Sequence, residues 1–195
     1  MRQMLIAIPV LFFLAGCSAL GISSEKTTKT SSTAKTDTTV PAAAVNPATA
    51  VHIQSSIPFD DDAKIAANIK ADCDLGKRLS DAIGAMAAKS NIEIMQQGNV
   101  DAGTKGKVLV IKITAAVSSG NAFIGHRKFA SVKGALYNNG TKEAAFTGTR
   151  VSGGGFFGGY MSSCAVLGRT TKTIGKDIIT WLENPVDGAH LGNQL

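Results

Sequence analysis

The run from Lys128 to Val151 constrains the fold more than any other part of the chain. Lys128 to Tyr137 alternates apolar and polar side chains, the period of a strand with one buried face. Asn138-Asn139-Gly140 follows, residue types that accept positive φ and so close a tight hairpin. Glu143 to Val151 is expected to pair back antiparallel. A hairpin with one apolar face needs a cover on that face. Two segments have the spacing for it. Ile65, Ile69, Cys73, Leu79, Ile83 and Ala87 recur near every 3.6 residues, predicting one amphipathic helix or two abutting ones that start after Asp60-Asp61-Asp62. Leu167, Ile174, Ile178 and Trp181 or Leu182 predict a second helix over 163–182, ended by Asn184-Pro185. Val51 to Ile57, Ile92 to Gln96 and Val108 to Val117 read as further strands. The order β-α-β-β-β-β-α predicts an α+β two-layer sandwich. Its sheet would be mainly antiparallel, of about five strands, with two amphipathic helices on one face. Aromatic residues make up only 6% of the chain, so the core must come from Ile, Val, Leu and Ala.

The N-terminus carries a different message. Arg2 is followed by an apolar stretch from Met4 to Phe13, broken only by Pro9, and then by Leu14-Ala15-Gly16-Cys17. A positive residue, a short apolar run and small residues form a signal-peptide layout, too short to span a bilayer as a mature helix. The four residues resemble the lipobox of bacterial lipoproteins. That resemblance implies acylation at Cys17, palmitate included, cleavage before it, and membrane attachment through the lipid. Ser18, where the family often has Asp for inner-membrane retention, implies the outer membrane. Residues 17–50 contain no aromatic residue and are rich in Thr, Ser, Lys and Ala with Pro41 and Pro47, a composition that cannot offset its ordering entropy. They are expected to be a tether with an r.m.s. span of about 30 Å. The expected division is therefore 1–16 signal peptide, 17–50 lipidated cysteine and tether, 51–184 α+β domain and 185–195 loose tail.

Cys73 and Cys164 remain after Cys17. Two cysteines in an oxidising compartment suggest a disulfide. Simple alternation of strands places Cys73 far from Cys164. The residues from Ser152 to Met161 can span about 30 Å when extended. They could carry the chain back along the sheet and make the second helix parallel to the first.

Chemistry-bearing motifs are sparse. Gly153, Gly155 and Gly158 satisfy G-x-G-x-x-G, but no strand follows the next helix and no acidic residue closes one, so a dinucleotide site is not expected. Asp60–Asp62 lacks the alternating ligands of a calcium loop. His52, His126 and His190 are scattered, and no G-x-S-x-G occurs. The expectation is a non-enzyme with no cofactor and no metal. The net charge of +6 is spread along the chain, and behind a signal peptide nucleic acid is not an expected partner.

Two apolar segments stand out as partner-binding candidates: Phe123, Ile124, His126 and Arg127 in one, and Phe156 and Phe157 in the other. Hairpin counting puts both at one end of the sheet. An apolar patch with a basic rim suits an envelope protein. Arg127, Lys128, Lys133 and Arg150 suggest as an alternative a cell-wall or lipopolysaccharide association through an anionic glycan. A hydrolase with no visible site is a third expectation, the weakest in residues.

The stretch 73–182 also resembles a group of small proteobacterial lipoproteins. The carrying residues are Asp72-Cys73-Asp74-Leu75, the segment Ser118 to Arg127, and Ser163-Cys164-Ala165-Val166-Leu167-Gly168-Arg169 through Gly175-Lys176-Asp177-Ile178. This resemblance implies a periplasmic α/β domain without an assigned activity. It is more loosely similar to envelope-assembly lipoprotein domains, an analogy of fold alone.

Overall fold

The structure is a computed structural model and describes residues 49–121, 125–152 and 162–194, with the side chains of 120, 121 and 125–127 outside the description. The elements are β1 (Val51–Gln54), β2 (Phe59–Ile65), α1 (Ala67–Asp72), α2 (Leu75–Ala87), β3 (Ile94–Gln97), β4 (Lys107–Asn121), β5 (Gly125–Asn138), β6 (Thr141–Ser152), α3 (Ser163–Glu183) and β7 (Ala189–Gly192). They build one sheet of seven strands in the order β3-β1-β4-β5-β6-β7, with β2 paired to β4 beside β1.

The expected five-stranded, mainly antiparallel sheet with two helices is therefore corrected. The sheet is mixed: β4-β5 and β5-β6 are antiparallel, whereas β1-β3, β1-β4, β2-β4 and β6-β7 are parallel. There are three helices among the described residues. The first error lies at Asp60–Asp62. Ile65 and Ile69 are four residues apart, and helix spacing extends falsely back through Ile65. Phe59–Ile65 is instead an irregular edge strand whose pairing slips between Phe59 and Lys64. Such a strand keeps no alternation to read. The second error is the tail. Residues 185–195 were expected to be loose, yet Ala189–Gly192 pair with β6. Four residues, flanked by Gly188 and ended by Gly192 at positive φ, are too short for a periodic signal.

The hairpin expectation holds. Asn139 and Gly140 both have positive φ, as a tight two-residue connection requires. Its turn is tied to the strand before it: Asn139 N donates to Gly106 O at 2.9 Å, and Gly106 N donates to Asn139 Oδ1 at 3.0 Å.

Alternate residues of β4, β5 and β6 meet the helices. Leu109, Ile111 and Ile113, Ala130, Val132 and Leu136, and Ala144 and Phe146 join Leu79, Ile83, Ile174 and Ile178 in one apolar core. Burying a side chain of that size contributes about 1.5–3 kcal/mol before entropy is subtracted. The rings of Phe146 and Trp181 lie 4.8 Å apart and tilted, and Trp181 Nε1 donates to Val186 O at 3.0 Å.

Cys73 and Cys164 form a disulfide with Cα atoms 4.8 Å apart, across 91 residues. This fixes the relation of the two long helices. Cys73 precedes α2 and Cys164 lies in the first turn of α3. Farther along, a β-carbon on Gly168 would meet Arg78, and one on Gly175 would meet Ala82 at 3.0 Å. The contacts advance together along both helices, so α2 and α3 run parallel, as the crossover expectation required. Small residues allow the close approach. Ser80 completes the layer by donating to Gln54 O at 2.7 Å, while Gln96 Nε2 donates to Ser80 O at 2.8 Å.

Candidate binding surfaces

The partner-binding residues expected from sequence are outside the described residues in part or whole. Phe123, Ile124, Phe156 and Phe157 lie outside them, as does the lipidation candidate Cys17, and the side chains of His126 and Arg127 are not described. The strands that lead into both segments are described. Asn121 pairs with Gly125 across the β4-β5 ladder, and Lys128 pairs with Ser152 across β5-β6. The two candidate segments therefore leave the sheet at the same end, which is where hairpin counting put them.

The proposed basic rim does not assemble as one surface. Lys128 is only 3% exposed. Its neighbours Ala130 and Val132 place it on the helix-facing side by alternation. Lys133 and Arg150 stand on opposite faces of the sheet, Lys133 on the open one. Arg150 is held by Asp177 of α3, with Nε and Nη2 each donating at 2.7 Å to one carboxylate oxygen. That pairing, above all the hydrogen bonds to Asp177, raises the Arg150 pKa further above its ordinary value.

The open face of the sheet carries a second candidate. Val110, Ala135 and Ala145 form one cross-strand row and Lys112, Lys133 and Thr147 the next. With Tyr137 they line a shallow depression of about 380 Å³. Lys112 and Lys133 sit directly opposite each other, an arrangement that repels unless an anion intervenes. Asp60 intervenes: its carboxylate is 3.4 Å from Lys112 Nζ and 2.5 Å from Lys133 Nζ, and Asp61 lies 3.4 Å from Lys112. The hydrogen bond from Lys133 is the largest reason that the Asp60 pKa falls below its ordinary value. The Asp60 hydrogen bond likewise leads in raising that of Lys112. Sequence reading missed this triad. The available signal was the pair of lysines in register on facing strands, which calls for a carboxylate between them.

The histidines do not converge. His52 is buried in β1, with Nδ1 unpartnered among the described residues. His190 shares hydrogen bonds of 3.0 Å with Thr147 Oγ1 and Asn193 O at the β6-β7 edge. Among the described residues, no group of three or more His, Cys, Asp or Glu is placed to hold a metal ion, and no helix is long and apolar enough to cross a membrane.

No family model and no curated protein matches the chain. Among solved structures, it is similar to a minor lipoprotein from Acinetobacter baumannii. The identity is 10%, over 68% of this chain and 94% of that chain, with a TM-score of 0.32. At that score the likeness carries no argument about mechanism.

Proposed function

We propose that this chain is an outer-membrane lipoprotein, acylated at Cys17, whose α+β domain is a non-enzymatic periplasmic binding or envelope-assembly module. The observation that supports the binding role is the strand register: Asn121↔Gly125 and Lys128↔Ser152 lie at one end of the sheet, and the segments with Phe123, Ile124, Phe156 and Phe157 follow these strand ends in sequence. Two apolar segments that leave one sheet end suit a protein interface. The lipobox-like Leu14-Ala15-Gly16-Cys17 supports attachment, and the Cys73–Cys164 bond suits an oxidising compartment. Three acyl chains, at about 0.8 kcal/mol per buried CH₂, would hold such a domain stably at a membrane.

The test has two arms. Metabolic labelling with an alkyne fatty acid should mark the wild type and not Cys17→Ser, with the label in the outer-membrane fraction. A photo-crosslinking residue at Phe123 or Phe156 should capture the same envelope component repeatedly. Absence of label overturns the anchor. Absence of any adduct at either position, in a folded and membrane-bound protein, overturns the binding end.

A further inference from the structure

We propose that the free edge of β3 is a self-association site, where a second copy of this chain adds its own β3 antiparallel about a two-fold axis at Met95. The inference goes beyond the binding reading and needs neither the lipid nor the apolar segments at the sheet end.

β3 is the outermost strand beside β1. Their parallel register pairs Val51 with Ile94 and Ile53 with Gln96. Val51 N donates to Glu93 O at 2.8 Å and Ser55 N to Gln97 O at 2.7 Å, so the odd-numbered residues turn their backbone groups toward β1. Strand geometry then turns the N–H and C=O of Ile94 and Gln96 outward. Among the described residues, no further strand pairs with β3 on that side.

An edge of this kind takes an extended backbone. Two observations select a second copy of β3. The strand Ile94-Met95-Gln96-Gln97 contains no charged residue and no proline, so two copies meet without repulsion. The axis sets Ile94 of each copy opposite Gln96 of the other, with four backbone hydrogen bonds, and sets Gln97 opposite Glu93, an amide facing a carboxylate. The second observation lies above the edge. Between β3 and α2 runs a groove of about 340 Å³, lined by Gly84, Ala87, Ala88, Ile92 and Ile94. The helix side of this groove is built from small side chains. Gln96 stands on the same face, as its bond to Ser80 O at 2.8 Å shows, so an added β3 brings a second Ile94 and Gln96 over the groove. Because the contact uses β3 of both copies, it closes at two. Four residues bury less than the about 1,600 Å² typical of a stable complex, so the dimer is weak and depends on concentration.

Sedimentation velocity of the full-length protein in dodecyl maltoside micelles should show monomer and dimer exchanging with concentration. Met95→Lys and Met95→Glu each set like charges opposite at the axis and should raise the dissociation constant about fivefold or more. An equimolar mixture of the two should restore dimers, and thermal melts check that both variants fold. Met95→Cys should crosslink to itself under mild oxidation, because a facing pair of this type has Cα atoms about 4.5 Å apart. Gln97→Cys should not, because its two copies would lie about 14 Å apart along the strands. Monomer at every concentration, charge variants that dimerise like the wild type, or a mixture that fails to restore dimers overturns the site. Crosslinking through Gln97→Cys in place of Met95→Cys overturns the register. A Met95→Cys adduct in cells to a different protein, with no dimer, gives the edge to a foreign strand and overturns self-pairing.

Discussion

On one face of β5 stand Ala130, Val132 and Leu136, none more than 2% exposed; on the other stand Phe129, Ser131, Lys133, Ala135 and Tyr137, all at least partly open to solvent. The same backbone serves both. The covered face is held by shape: Gly134 leaves room for Phe146, whose ring atoms would come within 2.5 Å of an added β-carbon. The open face is held by charge, with Asp60 bridging the lysines of two strands. Contacts of the first kind fail when volume changes, and contacts of the second fail when protonation changes. The two faces should therefore respond to different perturbations.

The largest effect is expected on the covered side. Replacing both Cys73 and Cys164 by Ala should lower the unfolding free energy by about 4–5 kcal/mol, the chain-entropy value for a loop of this length. Denaturant midpoints with and without reductant check it, and an unchanged midpoint would mean that helix packing alone holds α2 to α3. Next, Gly134→Val should cost about 1–3 kcal/mol through overpacking against Phe146. Ala135→Val, the next residue but on the open face, should change stability by under about 0.5 kcal/mol. Equal losses in thermal melts of the two variants would erase the distinction between the faces.

A smaller effect is expected at Asp60, and its sign is fixed by its lowered pKa. The folded state binds the Asp60 proton less readily than the unfolded chain, so its contribution is complete above the ordinary value of 3.8 and is lost as pH falls through the lower folded value. Asp60→Asn should thus be less stable than the wild type at pH 7, with the gap closing in acid. A gap independent of pH would show that Asp60 acts by packing. The smallest effect belongs to the exposed i,i+4 pair Lys77–Asp81: Lys77→Ala should leave the melting temperature within error, because such pairs are screened by solvent.

These contrasts also explain how far the sequence could be read. The hairpin and α3 were legible because alternation, Asn139-Gly140 and a long apolar stripe are local signals; α3 spans Ser163–Glu183 against an expected 163–182. β2 and β7 were not legible, because parallel edge strands take their pairing from distant residues. The disulfide was legible from two cysteines expected in an oxidising compartment, and the parallel course of α2 and α3 that the 152–161 segment allowed is what brings Cys73 and Cys164 together. The sequence pointed to a single basic surface by counting cations. It could not show that Lys128 is buried or that Lys133 and Arg150 face opposite ways.

The last strand, β7, has one more consequence. β7 covers only the middle of β6, but the backbone amides on either side are occupied: Ala145 N donates to Asp187 Oδ1 at 2.8 Å, and Val151 N to Asn193 Oδ1 at 3.1 Å. A strand from a neighbouring molecule would have to displace both side chains to add itself there. For a domain held at a membrane, as proposed, where copies crowd in two dimensions, these two caps keep the uncovered ends of β6 closed to strand addition.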